Sequence, residues 1–86
     1  MTRYTIELKA SAAKALAALP RRDQVRVGDK IDALAIEPRP YGAKALRGEP
    51  GLLRVRVGDY RVIYSVEDNV LHVLVVRVAH RREAYR

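Results

Sequence analysis

Residues 53–64 have the sequence LRVRVGDYRVIY, which contains the clearest strand and turn signals in this chain. Apolar and basic residues alternate along its first half, as they do in a β-strand whose two faces meet different surroundings. The dipeptide Gly58-Asp59 separates two such runs and is typical of a two-residue hairpin turn. A turn at this point pairs Arg56 with Arg61 across two antiparallel strands. The stretch therefore predicts a β-hairpin with valines on one face and arginines on the other.

The arginine side of this hairpin places like charges opposite each other. Arg56 faces Arg61, and Arg54 lies two residues along the same strand. Like charges in cross-strand register destabilise a sheet by several tenths of a kcal/mol, up to about 1 kcal/mol. A bound anion would offset this repulsion, and arginine suits phosphate because its planar guanidinium donates two parallel hydrogen bonds. The alternative is a solvated face whose arginines spread into water, which is the better explanation for any single alternating arginine.

Further basic residues occur at the end of the chain, and the whole set favours an anion-binding surface. These residues are Arg77, His80, Arg81, Arg82 and Arg86, with Tyr85 among them. The last predicted strand, over 70–78, is apolar at almost every position, so its pattern does not show which residues share a face. Whether Arg77 joins the other arginines is therefore open.

The rest of the chain completes an α+β pattern. Residues 4–9 alternate as a strand does, and Ser11 then occupies an N-cap position before an alanine-rich helix that ends at Pro20. A second helix is predicted over about 21–35, and the proline-containing segment 37–51 is predicted to be a loop.

The predicted order of elements is β-α-α-β-β-β. A turn near Asp68-Asn69 precedes the last strand, whose uniform apolarity predicts burial on both faces. The order predicts an α+β fold in which a helical hairpin packs on one face of a mainly antiparallel four-stranded sheet. At this length, residues 1–86 are predicted to form a single domain.

Composition indicates a basic protein of the cytoplasm. The net charge is +7, and residues 39–86 hold ten Lys/Arg against five Asp/Glu. A domain this basic usually meets a polyanion such as nucleic acid, or an acidic protein. The chain has no cysteine, which excludes disulfides and thiolate metal sites. No signal peptide or membrane span is expected from the sequence.

Most cofactor and catalytic motifs are missing. The two histidines, His72 and His80, are eight residues apart and do not form a cluster with acidic residues, so no metal site is predicted. His72 is interpreted as a structural strand residue. No glycine-rich phosphate loop and no Ser-His-Asp arrangement is present, and we expect no cofactor.

Three stretches together resemble a known family. They are Leu46-Arg47-Gly48, then 53–64 with its GDYRVIY run, and Val76–Arg86 with its H-R-x-x-x-Y ending. These residues, and the strand and helix pair before them, resemble the RelE branch of the RelE/ParE toxin superfamily along the full chain.

The resemblance implies a toxin of a type II toxin–antitoxin system that is a ribosome-dependent mRNA endoribonuclease. Such a toxin enters the ribosomal A site, where the RNA 2′-hydroxyl attacks the adjacent phosphate and leaves a 2′,3′-cyclic phosphate without a metal. The implied partners are a cognate acidic antitoxin, in a toxin–antitoxin hetero-oligomer, and the ribosome with its mRNA, but no membrane.

The resemblance also assigns roles to residues. Arg54 and Arg56 match basic strand positions that are lysine in well-known members, and arginine cannot serve there as a general base. The implied catalytic residues are Arg56, Arg61, Arg81 and Tyr85, with phosphate stabilisation by arginine as the main effect. Tyr85 is the favoured base and His80 the second candidate, while Arg81 or, if the alignment slips by one, Arg82 would assist the leaving 5′-oxygen. The implied RNA-binding residues are Arg54, Arg56, Arg77, His80, Arg82 and Arg86.

Two other functions remain as alternatives. One is a ParE-type gyrase-inhibiting toxin, which is disfavoured because ParE relatives usually have a longer helical hairpin and lack the full arginine and tyrosine set. The other is a non-catalytic nucleic-acid-binding module that uses the same sheet face.

Overall fold

A computed structural model describes residues 3–84, in which two main helices pack on a five-stranded sheet. The elements are β1 (Thr5–Leu8), α1 (Ala10–Ala17), α2 (Arg21–Ala33), β2 (Lys44–Ala45), β3 (Leu53–Val57), β4 (Tyr60–Glu67), a 3₁₀ turn (Asp68–Val70), β5 (His72–His80) and α3 (Arg81–Ala84). The strand order is β1-β5-β4-β3-β2, with β1 parallel to β5 and all other neighbours antiparallel. The predicted α+β class and mainly antiparallel sheet are confirmed.

The sheet has one strand more than the four that the sequence predicts. The additional strand is β2, whose two residues pair with β3 inside the predicted loop 37–51. Two residues cannot display an alternating pattern, and the neighbouring Gly42 and Pro50 indicate irregular structure. The strand exists because β3 offers it an edge to pair with.

The N-cap of the first helix lies two residues before the predicted position, Ser11. Lys9 is the N-cap of α1, and Ser11 lies inside the helix. The backbone N–H of Lys9 donates to Val75 O at 2.9 Å, while its carbonyl accepts from the N–H of Ala13 at 2.9 Å. Lys9 therefore ends the pairing of β1 and starts the helix, and this sheet contact overrides the capping preference of serine. Neither helix, nor any other between residues 3 and 84, is long and apolar enough to cross a membrane.

The core lies between the two helices and the valine side of the β3–β4 hairpin. Val27 of α2 is fully buried, and so are Val62 and Tyr64 of β4. The Tyr64 hydroxyl donates to the carbonyl oxygen of Pro38 at 2.7 Å, so the one polar atom of this side chain is satisfied. Burial raises the pKa of this hydroxyl. The core therefore forms on the inner face of the sheet, and the opposite face carries the arginine side of the hairpin.

An ionic cluster joins the loop after α2 to the end of β4. Asp68 accepts a 2.6 Å hydrogen bond from the Tyr4 hydroxyl and two from the Arg39 guanidinium, at 3.0 and 2.9 Å. These contacts lower the pKa of Asp68 from 3.8 to about 2, and the hydrogen bonding from Arg39 has the largest effect. The ionised carboxylate therefore stabilises the folded state, because its partners are lost on unfolding.

We expect Asp68→Asn to lower the melting temperature near neutral pH and to change its response to acid. Because the folded pKa of Asp68 is below its unfolded value, its stabilisation is complete above the unfolded pKa of about 4 and is lost as pH falls through the folded value. The difference in melting temperature between the two proteins should therefore shrink as pH falls from about 4 toward about 2.

Thermal unfolding followed by circular dichroism over this pH range measures the effect. Asp29→Asn is the matched control, since it removes the same charge from an exposed position on α2 away from Arg39. A difference between Asp68→Asn and the native protein that stayed constant down to the lowest pH would contradict a stabilising role of the ionised carboxylate.

Candidate nucleic-acid interface

Four arginines share the sheet face that points away from α1 and α2. Arg56 pairs with Arg61 across the hairpin, as the turn at 58–59 predicts. Arg54 pairs with Ile63, and Ile63 pairs with Arg77 on its other side. Directly opposite residues of a sheet project from the same face. We call these four residues (Arg54, Arg56, Arg61 and Arg77) the arginine face.

A β-bulge in β5 turns Arg77 toward this face. Ile63 pairs with Arg77 while the next residue of β4, Tyr64, pairs with Val75, so Val76 is an extra residue in β5. Val75 is fully buried against the helices, and without the extra residue strict alternation would point Arg77 to the same side. Arg77 is instead exposed, so the predicted burial of β5 on both faces holds for Val78 and Ala79 but not for Arg77. The bulge settles the open question of where Arg77 lies.

The arginine face borders a positively charged cleft. The cleft has a volume of about 380 Å³ and is lined by Gly42, Lys44, Arg54, Arg56 and Arg61. All four of its charged side chains are positive, and a guanidinium stays protonated throughout the physiological pH range. A cleft lined by one sign of charge focuses the potential and concentrates anions.

Arg61 is the most enclosed charge of this cleft. Only 6% of the residue is exposed, whereas Arg56 and Arg77 are exposed and Arg54 is half-buried. A charge that is shielded from solvent is screened less by water and salt than a surface charge. Arg61 can therefore act on an anion in the cleft more strongly than an exposed arginine would.

Arg81 lies at the end of the sheet, beside the hairpin turn. Its backbone N–H donates to the carbonyl oxygen of Asp59 at 2.7 Å, and its Nε lies 3.7 Å from Asp59 Oδ1. These contacts attach the start of α3 to the turn that connects Arg56 with Arg61. Arg81 is therefore held near the arginine face, although it lies in α3 and not on a strand of that face.

His80 does not join the arginine face. It pairs with Tyr60, and its ring meets the edge of the Tyr60 ring with centroids 5.4 Å apart and planes at 86°. Together with Leu19 and Val78 these rings line a groove on the helix side of the sheet. The backbone N–H of Arg82 donates to Nδ1 of His80 at 3.2 Å. The structure thus separates His80 from Arg54, Arg56 and Arg77.

Two of the predicted site residues lie outside the described part of the chain. Tyr85, the favoured base, and Arg86 follow the last described residue, so their assigned roles stay predictions. Arg82 is described and exposed, and His72 makes a 2.9 Å contact to Glu7 that agrees with a structural role. Between residues 3 and 84, no group of three or more His, Cys, Asp or Glu is placed to hold a metal ion.

Two basic residues near the site have no signal in the sequence. Lys44 pairs with Arg54 from the edge strand β2, which is too short to be predicted. Arg26 reaches from α2 to the hairpin turn, where its Nη2 would be 3.0 Å from a Cβ added to Gly58. In sequence, Arg26 is one more charged residue on the polar side of an amphipathic helix. Only the tertiary packing brings it to the turn.

Known proteins are similar to this chain over most of its length. The family model described as ParE toxin of the type II toxin–antitoxin system parDE matches residues 6–85. Toxin RelG of Mycobacterium tuberculosis is 32% identical over 84 residues, with 96% of this chain and 97% of that protein covered. Toxin RelE of the same organism is 35% identical over 82 residues, with 84% of each covered.

A solved structure is similar to this chain in both fold and sequence. The toxin–antitoxin complex RelBE2 from Mycobacterium tuberculosis contains a chain that matches with a TM-score of 0.83 and 34% identity, over 94% of both chains. The family model spans nearly the whole chain, and relatives above 30% identity cover more than two thirds of it. The chain therefore belongs to the RelE/ParE superfamily of type II toxin–antitoxin toxins and is a toxin of the RelE type.

Proposed function

We propose that this toxin is an endoribonuclease that cuts mRNA in the A site of the ribosome. The observation that carries the proposal is the arginine face, where four permanent positive charges project from three adjacent strands. A fold gains no stability from this arrangement of like charges, whereas the phosphates of an RNA strand complement it. The choice of RNA as the substrate, of the ribosome as its setting and of the reaction type is inferred from the family resemblance.

The proposed reaction is an internal transfer of the RNA phosphate. The 2′-oxygen of one nucleotide forms a bond to the adjacent phosphorus while the bond from phosphorus to the 5′-oxygen breaks. The 2′-hydroxyl loses a proton to a base, and the leaving 5′-oxygen gains one. The products are a 2′,3′-cyclic phosphate and a 5′-hydroxyl end. Negative charge grows on the phosphate oxygens, and preorganised arginines stabilise it without a metal ion.

The arginines divide into two groups by position. Arg61 and Arg56 are paired in the middle of the face and would hold the scissile phosphate, with the enclosed Arg61 making the stronger contact. Arg54 and Arg77 lie on either side of Ile63 and would hold the flanking RNA backbone. None of these four can accept a proton at physiological pH, so their role is electrostatic.

Proton transfer is assigned to the end of the chain. We propose Tyr85 as the base, from its family position, and Arg81 as the residue that assists the leaving 5′-oxygen. The attachment of Arg81 to Asp59 supports this role, because it holds Arg81 next to the turn that carries the arginine face. His80 is the weaker candidate, since it faces the helix side with Tyr60. Arg82 and Arg86 would add RNA contacts.

The proposal includes an acidic antitoxin that forms a hetero-oligomer with this chain in the cytoplasm. The structural relative RelBE2 is a toxin–antitoxin complex, and a chain of net charge +7 attracts an acidic partner. A segment that folds on binding could cover a large part of so small a domain and obstruct the arginine face.

We expect the association rate of the toxin and the antitoxin to fall as the salt concentration is raised. Stopped-flow mixing of this chain with the protein of the adjacent gene measures this rate. A rate unaffected by salt would contradict electrostatic steering.

We expect cleavage to require the ribosome. Electrostatic stabilisation by arginine accelerates the reaction only when the 2′-oxygen is in line with the leaving oxygen, and the A site can impose this geometry on the mRNA. Primer extension should therefore show strong cuts in the mRNA of a translating complex and few cuts in the same mRNA alone. Equal cleavage of both templates by the purified toxin would contradict the proposal.

The same measurement tests the role of Arg61. Arg61→Ala should lower the cleavage rate by about 10²–10³, which is typical for the loss of one preorganised charge at the reacting group. Arg61→Lys keeps the enclosed charge but loses the planar fork, so it should retain part of the activity. Arg21→Ala, which removes an exposed charge from α2, is the matched control. Full activity in a folded Arg61→Ala variant would exclude Arg61 from the site.

A further inference from the structure

Arg26 of α2 places its guanidinium over the hairpin turn at the end of the arginine face. A Cβ added to Gly58 would lie 3.0 Å from Nη2 and 3.2 Å from Nη1 of Arg26. Gly58 also has a φ of +58°, in the left-handed region that glycine and asparagine adopt most easily. The turn residue thus combines a special backbone conformation with an open surface on which the guanidinium lies.

Two aspartates flank Arg26 on its helix, but neither binds it. Asp23 accepts a 3.3 Å hydrogen bond from the Tyr60 hydroxyl, and Asp29 is exposed at the i+3 position. Residues three apart on a helix are the usual ion-pair partners. Within residues 3–84, Arg26 has neither an ion pair nor a side-chain hydrogen bond. Its exposed donors are therefore available to a ligand at the turn.

Arg81 occupies the neighbouring position on the same turn. Its contacts to Asp59 hold it beside the residue that follows Gly58. Arg26 and Arg81 therefore come from two different helices to consecutive residues of the turn, and the carboxylate of Asp59 is engaged with Arg81. The positive surface continues from the paired Arg56 and Arg61, around the end of the sheet, onto α2.

We propose that Arg26 extends the RNA-binding surface around the turn and contacts a phosphate of the RNA strand that occupies the arginine face. This inference rests on the proposed function. Single-stranded RNA carries one charge per nucleotide, so a strand that leaves the arginine face past the turn brings further phosphates to this edge. An unpaired guanidinium that continues an existing basic surface fits this backbone.

The salt dependence of RNA binding tests the proposal directly. The probe is a short fluorescein-labelled single strand of 2′-O-methyl RNA, which cannot be cleaved, and its affinity for the purified toxin is measured by anisotropy from about 50 to 200 mM KCl. Each phosphate contact contributes about −0.7 to the slope of log affinity against log salt. Arg26→Ala should make the slope shallower by about 0.7, whereas Arg26→Lys should leave it close to the native value.

Two further variants separate this contact from general charge effects. Arg21→Ala removes one exposed charge from the same helix but from a different side, and it should keep the native slope. Gly58→Asn keeps the left-handed backbone and every charge, and its Cβ displaces the Arg26 guanidinium by only a few tenths of an ångström, so it should keep a slope close to the native value.

The possible outcomes distinguish this inference from the proposed function. A native slope in Arg26→Ala, with a shallower slope in Arg56→Ala, overturns the inference and leaves the arginine face as the RNA site. A native slope in Arg26→Ala with weaker binding of the antitoxin assigns Arg26 to the protein partner and also overturns it. If the native toxin shows no salt-dependent RNA binding, the inference and the RNA-binding surface both fail. Melting temperatures verify that each variant is folded.

Discussion

The register of the β3–β4 hairpin determines both faces of the sheet. Pairing Arg56 with Arg61 sends Val55 and Val62 into the core, where they are 3% and 0% exposed. Full burial of each valine contributes about 1.5–3 kcal/mol, while the repulsion between opposed arginines costs about 1 kcal/mol or less. The fold can therefore sustain the arginine pair. A slip of one residue would reverse both faces, so this register specifies the core and the functional surface together.

A second constraint is the bulge at Val76. Early in β5, alternate residues such as Val73 and Val75 pack against the helices, and a regular strand would continue by burying Arg77. The extra residue changes the alternation once, so Arg77 projects from the arginine face while Val73, Val75 and Val78 all lie in the core. The same change directs His80 to the helix side, where it meets Tyr60. One backbone irregularity thus decides which basic residues can act together.

The hairpin could be predicted from sequence because its turn dipeptide and its alternation are local signals, and three arginines of the face follow from them. The position of Arg77 could not, since a bulge in a uniformly apolar strand leaves no trace in the pattern. Lys44 and Arg26 could not be predicted either, because a two-residue edge strand and a helix-to-turn contact arise only in the packed molecule. The roles of Tyr85 and Arg86 rest on family resemblance alone.

We propose that the outer sheet face binds the RNA backbone through its arginines, and this contact can be observed atom by atom. The most direct measurement is an NMR titration of the arginine Nε–H resonances with uncleavable single-stranded RNA. We expect the largest shifts at Arg54, Arg56, Arg61 and Arg77, because guanidinium–phosphate hydrogen bonds would form there. Arg39, which is already paired with Asp68, should shift little. Equal shifts at all arginines, or shifts confined to residues outside this face, would show that the arginine face is not the RNA-binding surface.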